Sequence, residues 1–146
     1  MKPSITNSVN YYLCVKYLFP LIRDKEFYIR LRDNFAVIEI WNYPAPKPTI
    51  EELNEAWPDA DIYFRLEEIK KETIKRLIAS DWTHLTDNPL SPEKQEEWRF
   101  YRRKLRVFPE VCDPYNPNWP KEPSNNEAKE EKKESKKTKK SGKENE

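Results

Sequence analysis

The chain has 146 residues with 27 basic and 26 acidic side chains, a formal net charge of +1, which argues against a globally basic nucleic-acid binder. Two cysteines, Cys14 and Cys112, lie far apart with no signal peptide before them, so free thiols in a cytosol are expected. The longest apolar stretch, Tyr11 to Ile22, is interrupted by Lys16 and Pro20 and is too short for a bilayer core of ~30 Å, so no membrane association is expected.

In chain order, Ser8 followed by Val9, Leu13, Tyr17 and Leu18 predicts an N-cap and a short helix over about residues 9–19, stopped at Pro20. From Glu26 to Trp41 the apolar period changes to two, which predicts a hairpin turning at Asp33-Asn34. A two-residue turn there sets Leu31 opposite Ala36, Ile29 opposite Ile38 and Phe27 opposite Ile40, placing six apolar side chains on one face. Tyr28, Arg30, Arg32, Val37 and Glu39, with Phe35 and Trp41, fall on the other. Two strands alone are marginal in water, so a helix or a second chain must cover the apolar face.

Pro44, Pro46 and Pro48 fix an extended connection, and Thr49 with Glu52 forms the capping box of a helix expected at 50–57, ending before Pro58. Residues 62–79 set Ile62, Leu66, Ile69, Ile74, Leu77 and Ile78 along one helical side. Glu67 to Lys71 and Glu72 to Arg76 offer ion pairs four residues apart. After a break at SDWTHLTDNPL, Ser91-Pro92-Glu93 restarts a helix, expected at 92–107, with Trp98, Tyr101, Leu105 and Phe108 as its buried stripe. Its acids precede its arginines, as the helix dipole favours. Arg99, Arg102, Arg103 and Arg106 also form a basic stripe that could grip a carboxylate-rich partner or phosphate, and a solvated face is the preferred reading.

Residues 121–146 hold one hydrophobic residue, Ala128, and nine Lys against seven Glu. Such a segment cannot offset the roughly 1–2 kcal/mol per residue that backbone ordering costs, so disorder is expected. The fold class is thus α+β. A small N-terminal unit of helix, β-hairpin and short helix (1–60) precedes a C-terminal helical module (61–123) and a disordered Lys/Glu-rich tail (124–146).

The sequence offers no catalytic constellation and no cofactor or metal motif. It has one His, one Gly, and no Cys or His pair at ligand spacing. Carboxylates are abundant and mostly matched to bases on helix surfaces, so no acid pair stands out. The expectation is a protein that is not an enzyme.

The stretch Asp81-Trp82-Thr83, Leu85, Asp87, Pro89-Leu90, followed by Trp98, Tyr101-Arg102, Leu105-Arg106 and Trp119-Pro120, resembles the C-terminal module of bacteriophage tail assembly chaperone proteins. The hairpin and the PKPT helix start are more loosely similar to the N-terminal part of some phage tail proteins. His84 and Thr86 stand where that family usually has Gln and Pro.

The resemblance implies a protein that assists folding, oligomerisation or attachment of a tail fibre or other tail or baseplate protein. Its place would be the host cytoplasm during assembly, or the virion tail. The alternatives are a small structural virion protein without chaperone role, and a nucleic-acid-associated adaptor using the arginine stripe, a partner class the composition disfavours. Homo-oligomerisation stays open. The candidate protein-binding residues are Trp82, Trp119, Tyr101, Arg102 and Arg106. The competing reading is that Trp82, Trp98 and Trp119 pack together as the module's core.

Overall fold

The computed structural model describes residues 9–33 and 35–125, and the expected disorder of the tail lies, from residue 126 on, outside them. The fold is α+β: helix α1 (Tyr11–Leu18), strands β1 (Phe27–Arg32) and β2 (Phe35–Trp41), and helices α2 (Ile50–Ala79) and α3 (Pro92–Val111), with 3-10 turns at Asp24–Glu26 and Asp81–His84. The described residues up to Lys71, with Asp113–Pro117, make one compact unit. Glu72–Cys112, with the described residues from Asn118, make the second, so the division falls inside α2.

In the first unit α1 is capped by Asn10, whose side chain accepts from the Leu13 amide at 3.1 Å. The Ser8 cap expected from the sequence lies outside the described residues. Cys14, Val15, Ile22, Phe27, Ile38 and Leu53 form the core, and Phe19, Trp41, Tyr43 and Trp57 pack around it.

The hairpin departs from its expected register. Ile29 faces Ile38 and Leu31 faces Ala36 as predicted, but an irregularity between Tyr28 and Ile29 pairs Phe27 with Trp41 and Tyr28 with Ile40. The extra residue breaks the alternation and brings Trp41 inward, where its ring meets Phe19 edge-on at 5.1 Å. A large ring gains more from burial than Ile40, which stays exposed, as does Leu31. The turn places Asp33 at φ 45°, a conformation its short polar side chain tolerates. On the outer face Glu39 pairs with Arg30 at 2.9 Å.

The Trp41 indole donates to the Ala45 carbonyl at 2.7 Å and ties down the proline-rich connection, whose Pro48 is buried. The capping box forms in both directions. The Thr49 amide donates to Glu52 at 2.9 Å and the Glu52 amide to the Thr49 hydroxyl at 3.1 Å.

Two expected helices are one. α2 runs unbroken from Ile50 to Ala79 with Pro58 inside it. A proline in a helix interior forfeits one hydrogen bond and crowds the preceding turn. Here Pro58 points to solvent while Leu53 and Ala60 on either side are wholly buried, and that burial outweighs the loss. The surface pairs of α2 are Glu67–Lys70, Glu68–Lys71 and Glu72–Arg76, so the expected Glu67–Lys71 pair is replaced by two at a spacing of three. Of its apolar stripe Ile69 is buried, whereas Ile62, Ile74 and Ile78 are exposed. Among the described residues no helix is long and apolar enough to cross a membrane.

Candidate protein-binding site

The second unit is assembled on α3. Ser91 caps it, its hydroxyl accepting from the Lys94 amide at 3.3 Å, and Pro92 opens it. The helix ends at Val111, a turn later than predicted, with Pro109 inside its last turn.

Trp98, Tyr101 and Leu105 make the core of this unit, and Leu77, Trp82, Leu90 and Trp119 pack against it. Trp82 meets Trp98 edge-on at 5.7 Å, and Trp98 meets Tyr101 likewise at 5.7 Å. Trp119 lies 4.4 Å from the Phe108 ring, and the Arg76 guanidinium stands over the Trp119 ring at 4.3 Å. The tryptophans of the motif therefore do form the module's core, with Trp98 fully enclosed and Trp82 and Trp119 half-buried.

Arg102 is buried at 6% exposure and joins three points of chain. Its Nη1 donates to the Leu77 carbonyl at 2.5 Å and to the Ser80 hydroxyl at 2.6 Å, and its Nη2 to Asp81 Oδ1 at 2.8 Å. Leu77 is in the last turn of α2, whose carbonyls lack intrahelical donors and carry partial negative charge. Arg102 is thus a cationic cap supplied to α2 by α3.

Beyond α2 the chain turns without glycine because side chains satisfy the backbone. The Thr83 hydroxyl donates to the Ser80 carbonyl at 2.8 Å, Asn88 Nδ2 to the Leu85 carbonyl at 2.6 Å, and the Leu90 amide to Asn88 Oδ1 at 3.0 Å. This holds His84 and Leu85 at the surface, Leu85 with 57% of its area exposed. Loss of hydration, then the positive charges of Arg102, Arg106 and Arg99, lower the His84 pKa from its ordinary value.

The five candidate residues divide accordingly. Tyr101 and Arg102 are interior, Trp82 and Trp119 offer part of a ring to solvent, and Arg106 is exposed. The roles of Ser80, Asn88 and exposed Leu85 were not picked out from the sequence. A serine at a helix end and an asparagine before proline were the available signals.

Residues 66–124 match the family model of the phage tail assembly chaperone protein, and residues 11–62 match that of the XkdW protein. The chain is phage tail assembly chaperone-like. The first match contains all of the Trp98 cluster and the Arg102 cap, so the chaperone-like module is the unit just described, together with part of α2. The second covers α1, the hairpin and the start of α2. Neither a search of curated proteins nor one of solved structures gives a significant match. The matched families are phage structural or chaperone proteins and not known enzymes. Among the described residues no group of His, Cys, Asp or Glu is placed to hold a metal ion.

Proposed function

We propose that this tail-assembly chain holds another phage tail protein, a tail fibre chain in the first instance, and assists its folding, oligomerisation or attachment in the host cytoplasm. The observation that carries the reading is the pair of half-buried tryptophans, Trp82 and Trp119, packed on one aromatic core in a unit that also exposes Leu85 and Arg106. Partly exposed aromatic rings near a cation are what binding hot spots are built from. In this reading Trp82, Trp119, Leu85 and Arg106 meet the partner, while Tyr101 and Arg102 act by positioning them.

The test is a tagged pull-down from phage-infected cells with identification of the co-purifying chains. Leu85→Ala and Arg106→Ala, both at exposed positions, would be compared with Trp119→Ala. Recovery of a fibre or baseplate chain, reduced by the exposed variants at unchanged melting temperature, is expected. Recovery of no tail protein refutes the reading. Finding the chain on purified particles without such recovery assigns it a structural virion role instead.

A further inference from the structure

α3 is apolar on two sides. Its core stripe is Trp98, Tyr101, Leu105 and Phe108. At about 100° per residue, Phe100, Val107 and Val111 fall together roughly 120° round the helix from that stripe. They are 53%, 49% and 73% exposed. Single apolar side chains scattered over a surface need no partner. These three do not scatter, since with Lys104 they recur at spacings of four, three and four, the seam of a two-stranded coiled coil. Residues 121–124 border Phe100 and Lys104 yet leave Phe100 exposed, and the sequence from 126 to 146 offers a single hydrophobic residue, Ala128, with which to cover the face.

We infer that this seam pairs with the same seam of a second copy of the chain, in antiparallel orientation. A parallel pair would set Lys104 against its own counterpart and bring like charges together. The antiparallel register that puts Phe100 beside Val111 of the other copy sets Lys104 across from Val107, where its methylenes cover the valine and its ammonium reaches water. Within each chain the Lys104 ammonium already lies 4.3 Å from the Phe100 ring.

Charge complementarity selects the same arrangement. Arg103 and Glu110 flank the seam on one side seven residues apart, both exposed; Arg103 is paired with Glu96 of its own helix at 3.1 Å, and antiparallel pairing brings it toward the other copy's Glu110 as a second carboxylate. The contact is isologous, so every interaction occurs twice. It spans only about 16 Å of helix and is smaller than a standard stable interface, so the dimer is weak, with a dissociation constant on the order of 100 µM. This self-association does not depend on the partner-holding role, and either can fail alone.

Sedimentation equilibrium of the full chain from about 5 to about 500 µM tests it. The expected result is a monomer–dimer equilibrium that Phe100→Gln/Val107→Gln/Val111→Gln weakens at least about tenfold, with the melting temperature of the monomer kept because all three positions face solvent. Glu110→Arg should weaken the dimer, and Arg103→Glu added to it should restore the affinity. A chain that stays monomeric throughout, or a dimer the triple variant leaves intact, overturns the inference. A double charge exchange that restores nothing overturns the antiparallel register.

Discussion

Arg102→Met tests whether the second unit depends on a cation closing the end of α2. Methionine keeps much of the unbranched volume and removes all three donated hydrogen bonds. The Asp81 carboxylate is 63% exposed and regains water, so its share is at most about 0.5 kcal/mol. The Leu77 carbonyl retains the Ser80 amide and hydroxyl as donors, at 3.2 and 3.0 Å, so it is weakened rather than orphaned. Ser80 is 2% exposed, and its hydroxyl loses Arg102 as a donor. Losing two buried charge-assisted bonds and the favourable charge at a helix C-terminus comes to about 2–3 kcal/mol. Urea unfolding followed by tryptophan fluorescence measures this, because Trp82 and Trp98 report on the unit directly. Asp81→Asn should cost about 0.5 kcal/mol or less in the same assay. If the two variants lose the same amount, the exposed ion pair carries the effect and the capping argument is refuted.

Pro58→Ala should stabilise the chain by about 1–3 kcal/mol, since the position is exposed and the new amide can restore the hydrogen bond to Asn54; a lower unfolding midpoint would show that α2 needs the proline. Thr73 is buried with its hydroxyl unpartnered, so the isosteric Thr73→Val should raise stability by about 1 kcal/mol in thermal unfolding. Burial pushes the Cys14 thiol up to about 11. Below the unfolded value of about 8.5 both states keep the proton; above it the unfolded chain ionises first, so stability falls as pH rises from there toward about 11. Unfolding titrations at successive pH values should show that fall, and Cys14→Ala should flatten it. At pH 8 a thiol reagent should label Cys112, which is half-buried, well before Cys14.

The elements legible in the sequence were those marked by short-range chemistry. The Thr49–Glu52 box, the Ser91-Pro92 start and the Asp33 turn each depend on neighbours a few residues apart, and all appear where the residues place them. What escaped reading was decided by packing. Pro58 reads locally as a stop, and only the burial of Leu53 and Ala60 keeps α2 continuous across it. Trp41 displaces Ile40 from the core through a register shift that alternation cannot anticipate. At the site, the motif singled out Arg102 and Tyr101, yet their spacing could not show them turned inward. Leu85 was in the motif too, and its exposure depends on the Asn88 hydrogen bonds.

The Arg102 cap also bears on how such a module can diversify. Arg102, Ser80 and Asp81 form one hydrogen-bonded set drawn from two stretches of chain, so a change at one is tolerated only with a matching change at another, a case of built-in epistasis. His84, Leu85 and Arg106 lie outside that set and face solvent. Their substitutions are free of the constraint, so under the partner-holding role proposed above the surface can change to suit a different partner while the scaffold beneath it stays the same.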